Sequence, residues 1–163
     1  MNMKMILLNV YLNELGIQLD ISSKGKRIVL QKVVYLAQAA GADLGYRYSW
    51  YLNGPYSTDL TRDYYKLVDD AESQAEAPKY VLSDELSQLL ESIKPLLTKP
   101  HIFREGEDDW LELVASLDYA MRVLRMSPDN AVAFVKGEKP HLAPYAEMGL
   151  NALSESSLGL ASA

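Results

Sequence analysis

Between Lys4 and Leu15 the apolar residues Leu7, Leu8, Tyr11, Leu12 and Leu15 recur at the spacing of one helical face, and Gly16 supplies a stop. The spacing predicts a first helix. After a polar link with Asp20, Ser22 and Ser23, the run Lys26 to Ala40 puts Val29, Val33, Leu36 and Ala40 on one side, broadened by Leu30, Val34 and Ala37. Arg27, Gln31 and Gln38 form the narrow polar stripe opposite, so this second helix is expected at the centre of the fold.

The period then changes. Tyr46 to Tyr51 alternates aromatic with polar or small residues and runs into Asn53-Gly54-Pro55, which reads as a strand of about 47–52 entering a turn. Ser57 or Thr58 caps a third helix through Leu60, Tyr64, Leu67 and Val68, with Asp59 near its positive end. Glu72 to Lys79 reads as a polar loop. Tyr80 to Leu82 reads as a second strand (about 79–82) that would pair with the first.

Ser83, Asp84 and Glu85 start a helix carrying Leu86, Leu89, Leu90 and Ile93, which Pro95 should kink or end. The segment Thr98 to Gly106 reads as a loop. An amphipathic helix from Asp108 presents Trp110, Leu113, Val114, Leu117, Met121 and Leu124. Ser127-Pro128 restarts the chain toward Val132, Val135 and Gly137, and Ala143 to Leu153 forms a last short helix. The expected architecture is mainly α, a compact bundle of about six to seven helices with a small two-stranded ribbon. It is one globular domain over 1–153, and 154–163 is a tail expected to fray.

Composition narrows the chemistry. The 163 residues include no cysteine, which removes disulfides, zinc ribbons and thiol nucleophiles and suits a reducing cytoplasm. His101 and His141 stand far apart with no metal-ligand spacing, so neither a metal nor a cofactor is expected. The apolar stretch Met5 to Leu8 breaks at Asn9, well short of the roughly 20 residues that cross a bilayer, so no membrane role is expected. The formal charge of −6 is uneven: residues 1–66 hold eight of the 16 basic side chains but only five of the 22 acidic ones. Lys24, Lys26, Arg27 and Lys32 therefore offer candidate phosphate contacts on an otherwise acidic chain.

Catalytic patterns are thin. Ser57 has no histidine at a triad-like position, Asp59 and Asp63 read as a helix-start charge and an ion-pair partner, and the glycines follow no phosphate-loop spacing. No catalytic residue is assigned. The anomaly is aromatic: Tyr46, Tyr48, Trp50, Tyr51, Tyr56, Tyr64 and Tyr65, seven of the 15 aromatics, crowd around the Asn-Gly-Pro turn. Alternation cannot bury them all on one face, and tyrosine and tryptophan are favoured in recognition surfaces.

The string Leu30-Gln31-Lys32-Val33-Val34-Tyr35-Leu36-Ala37-Gln38 is followed by Tyr48-Ser49-Trp50-Tyr51-Leu52-Asn53-Gly54-Pro55-Tyr56-Ser57 and then by Leu60 and Asp63. Together they resemble the YwgA-like proteins and, more distantly, the Panacea antitoxin domain, over about residues 26–67. The resemblance implies a compact helical domain without enzymatic activity; Panacea-type antitoxins neutralise a neighbouring toxin by protein contact. A fused antitoxin carries a separate helix-turn-helix extension, and none is expected from the helices read in these 163 residues.

Leu30, Gln31, Lys32, Tyr35, Gly54, Pro55, Ser57, Leu60 and Asp63 then read as chiefly architectural, with Gln31 and Lys32 in reach of the turn's backbone. Tyr48, Trp50, Tyr51, Tyr56 and Tyr64 become the adjustable surface for a protein partner. The expected function is a non-enzymatic protein-interaction module, antitoxin-like or defence-associated, restraining a partner such as a cognate toxin or effector; the net charge suits a basic one. The competing expectation is a nucleic-acid-binding regulator that uses the basic second helix and the aromatic ribbon. A homodimer through the exposed tyrosines is a further expectation.

Overall fold

A computed structural model describes residues 2–159 and shows a mainly α chain with a small antiparallel ribbon. The helices are α1 (Met3–Leu15), α2 (Lys24–Ala39), α3 (Thr58–Val68), α4 (Ala71–Glu76), α5 (Asp84–Leu97), α6 (Glu107–Arg122), α7 (Pro128–Glu138) and α8 (Ala146–Glu155). Short 3-10 turns at Ala77–Lys79 and Pro140–Tyr145 link α4 to α5 and α7 to α8. The helix starts follow from local chemistry: Ser23, Ser57, Ser83 and Ser127 each accept a backbone N–H three residues on, satisfying an otherwise orphaned donor. Gly16, at φ +71°, ends α1 in a left-handed turn.

The centre of the core is the packing of α2 against α6. Leu30, Val33 and Leu36 from α2 and Leu113, Val114 and Leu117 from α6 are all essentially inaccessible to water. Trp110 anchors the lower end of α6, where its indole N–H donates to Leu96 O at 2.8 Å and Phe103 meets its ring edge-on. That contact pins the 98–106 loop.

Three expectations are corrected, and of the two outcomes open to Pro95 one is excluded. The ribbon pairs β1 (Ser49–Tyr51) with β2 (Gly54–Tyr56) in a tight hairpin, with Trp50 opposite Pro55 and Tyr51 opposite Gly54. Tyr80 to Leu82 forms no strand, because Gly54, at φ +85°, turns the chain back at once. The Glu72–Lys79 stretch is helical instead of a loop: Asp70 caps α4, and Ala77 packs on Ile6 and Val10. This cover explains why α1 is buried nearly all round, Asn9 included.

Pro95 does not end α5, which runs on to Leu97 without the rung that proline cannot donate. The chain also stays packed past Leu153, since α8 continues to Glu155, Leu158 is buried and its carbonyl accepts from Arg122. Residues 160–163 of the expected tail lie outside the described residues.

Among the described residues, no helix is long and apolar enough to cross a membrane.

Candidate functional site

The hairpin is held by side chains from α2, and the polar stripe expected there turns out to be an internal one. Gln31, only 2% exposed, grips Ser57 at two points: its Oε1 accepts from Ser57 N–H at 2.9 Å and its Nε2 donates to Ser57 O at 2.9 Å. The same Nε2 reaches the Thr61 hydroxyl, which in turn touches the Tyr56 hydroxyl at 2.6 Å. Gln38 repeats the device on the approach to β1, accepting from Tyr46 N–H and donating to Tyr46 O. Two glutamines thus supply the backbone partners that so short a ribbon lacks.

Of the two roles expected for Lys32, the structure keeps its bond to the turn's backbone and corrects its reading as a phosphate contact. At 1% exposure it meets no phosphate; its ammonium nitrogen donates to Pro55 O at 2.6 Å, beneath the turn. Lys139 donates to Leu52 O and sits 3.7 Å from the buried Glu112 carboxylate. Two amines and one carboxylate in a dry site carry one cation more than the site balances. Burial lowers Lys32 to about 7, opposed by the attraction of Glu112 and aided by the Lys139 charge.

Close packing makes Gly54 obligatory. A Cβ built there would lie 2.4 Å from the Ser116 hydroxyl oxygen, which is itself buried without a hydrogen-bond partner. The hairpin lies on α6 with no room for a side chain.

The aromatic cluster divides. Tyr64 is buried, and the Tyr48 hydroxyl donates inward to Gln31 O, its pKa raised chiefly by burial. Trp50 is half-buried against Tyr119 and Phe134, at centroid distances of 5.8 and 5.1 Å. Tyr51 remains 59% exposed, and Tyr56 lies half-buried behind it at 5.3 Å. Tyr64, at 2% exposure, offers a partner almost no surface, and Tyr48 and Trp50 are mainly scaffold, contrary to the assignment of all three as contact residues.

The remaining motif residues are also structural. Leu30 and Leu60 are core, and Tyr35, on α2, donates its hydroxyl to Asp118 at 2.7 Å. Asp63 accepts from the Tyr46 hydroxyl at 2.7 Å instead of pairing with a cation, while Arg62 takes Asp59. Ser57 is fully buried as the α3 cap.

A cleft of about 300 Å³ lies between the start of α2, the hairpin tip and α3. Ile28, Tyr51, Tyr56, Tyr64 and Tyr65 line it, Leu52 and Asn53 edge it, and Lys24 and Arg27 stand at one rim. Leu52 is 79% exposed. Lys26 is turned to Asp20 at 3.3 Å, and Arg27 donates to Ile21 O at 2.9 Å. The sequence reading passed over Leu52, Asn53 and Thr61, and set Tyr65 aside; the Asn-Gly hairpin signal and the pair of adjacent tyrosines were the available clues. Lys139 and Glu112 left no such clue, since only the tertiary fold brings them under the turn.

Among the described residues no group of three histidine, aspartate or glutamate side chains is placed to hold a metal ion. Comparison with family models, curated proteins and solved structures finds no match for this chain.

Proposed function

We propose that the chain is a non-enzymatic protein-interaction module, antitoxin-like or defence-associated, that binds and restrains a partner protein through the cleft at the hairpin tip. The observation that carries this reading is the exposure of Tyr51 and Leu52, on a hairpin clamped from beneath by Gln31, Lys32 and Lys139, together with Tyr65 of α3 around one preformed hollow. Large apolar side chains held rigidly in water lose little entropy when a partner covers them, which makes such groups strong anchors. The resemblance of residues 26–67 to YwgA-like and Panacea sequences supports the same class.

The nucleic-acid reading keeps three of its four cations, since Lys32 is buried, and one of the three, Lys26, is engaged with Asp20. On a chain of net charge −6 that footprint is small.

The test is affinity capture from native cells with wild type and with Tyr51→Ala/Tyr65→Ala. A single protein recovered with wild type and lost from the variant is the expected result. Recovery of nucleic acid alone, released by salt and indifferent to the variant, overturns the reading in favour of a regulator.

A further inference from the structure

The cleft departs from the rest of the surface in its charge. The chain has 22 acidic side chains, yet none lines this hollow. Lys24 is exposed at the rim and makes no ion pair among the described residues. Arg27 beside it is held by one nitrogen to Ile21 O, which leaves its other N–H groups without a protein partner among the described residues. The hydroxyls of Tyr51 and Tyr65 and the amide of Asn53 are also unpartnered within that set.

Size limits the occupant. About 300 Å³ holds one or two side chains, whereas a docked helix is about 10 Å across. A stable dimer buries on the order of 800 Å² per partner, more than this hollow supplies. A nucleic-acid strand needs a run of phosphate contacts, and of the three cations that line this hollow Lys32 is buried on Pro55 O, which leaves Lys24 and Arg27.

From this geometry we infer that the cleft takes a short extended segment of a partner protein in which a large apolar or aromatic side chain adjoins one or two carboxylates. The apolar group seats among Tyr51, Tyr56 and Tyr65; the carboxylates meet Lys24 and Arg27. The inference rests on the interaction-module reading and supplies the chemistry of its partner. It is compatible with a partner of basic overall charge, because net charge governs approach while the cleft reads only the segment in contact.

A displayed library of random peptides, selected on the full chain, tests the inference. The enriched peptide is then titrated against wild type, Lys24→Glu, Lys24→Glu/Arg27→Glu and Tyr51→Ala/Tyr65→Ala. Enriched sequences are expected to place Asp or Glu beside an aromatic or large aliphatic residue, and their affinity to fall roughly tenfold or more in the double charge reversal and in the tyrosine variant. Lys24→Glu alone puts an acid in the first turn of α2, where the helix dipole tolerates it, so its weaker binding is not a folding defect. The inference is overturned if no sequence is enriched, if the enriched sequences lack carboxylates, if charge reversal leaves affinity unchanged, or if oligodeoxythymidylate displaces the peptide.

The cellular partner separates the two levels. Capture lost with Tyr51→Ala/Tyr65→Ala but retained with both charge reversals leaves the interaction module standing and removes the acidic segment. Capture indifferent to all variants removes both.

Discussion

Gln31 and Ser57, 26 positions apart, are joined by a two-point clamp in which one side-chain amide satisfies both the N–H and the C=O of the residue that caps α3. The clamp ties α2, the hairpin and α3 into one support for the cleft. Gln31→Leu leaves the buried Ser57 N–H unpaired and removes one of the bonds that Ser57 O accepts, the others coming from Thr61, and is expected to cost about 3 kcal/mol. For a chain of this length that lowers the melting temperature by roughly 6–12 °C, read by circular dichroism. Gln31→Glu should not rescue it, since a carboxylate oxygen would then face Ser57 O. A Gln31→Leu variant that melts with wild type would show that the clamp is not holding the cap.

Gly54 and Ser116 form a second testable pair. Gly54→Ala combines a left-handed backbone position with a contact to the Ser116 hydroxyl and is expected to destabilise by about 2–4 kcal/mol. Ser116→Ala removes a buried hydroxyl with no partner and is expected to stabilise by about 1 kcal/mol. In the double variant the Gly54→Ala cost should shrink to the backbone strain alone, a non-additivity that denaturant unfolding measures. Strict additivity would refute the steric account.

Lys32 makes stability depend on pH. In the folded chain its amine releases a proton near 7, whereas an unfolded lysine keeps it to about 10.5. Between these values the unfolded state binds more protons, so this group's contribution raises stability as pH increases from about 7 toward 10. Above about 10 the sign reverses, because Tyr35, Tyr46 and Tyr48 have pKa values raised chiefly by burial and resist an ionisation that their unfolded forms undergo. Denaturant titrations across this range should show a maximum near pH 10, and Lys32→Met should flatten its rising limb. An unchanged limb in that variant would assign the dependence elsewhere.

Trp50 and the Tyr51/Tyr65 pair should behave oppositely. Trp50→Ala empties a site between Tyr119 and Phe134 and is expected to cost about 2–4 kcal/mol. Tyr51→Ala/Tyr65→Ala, at positions 59% and 46% exposed, should change stability by less than about 1 kcal/mol while abolishing partner capture. Thermal melts run beside the capture experiment distinguish a lost surface from a lost fold.

Most of the helices could be read from the chain because their signals are local. Ser57, Ser83 and Ser127 announce helix starts, Gly16 announces an end, and the apolar stripe from Trp110 to Leu117 is the buried face of α6. Where the reading failed, the deciding energy came from elsewhere in the chain. The 72–79 segment looks polar in isolation, yet it is helical where Ala77 covers Ile6 and Val10. Tyr80 to Leu82 has strand-like residues, but β1 had already found its partner three positions on, in β2.

A mainly helical chain, its capping residues, the sharp turn at Gly54 and the crowding of aromatics around that turn are all properties of neighbours within a few residues, and local sequence specifies them. Which tyrosines face water, and whether a charged side chain is a surface cation or an internal strut, depends on contacts between distant parts of the chain. Lys24 and Lys32 share one helix and one side-chain type, yet Lys24 is exposed and Lys32 lies under Pro55. The difference arises because Glu112 and the hairpin carbonyls, distant in sequence, close over one amine and not the other, and burial of a charge depends on what surrounds it in space.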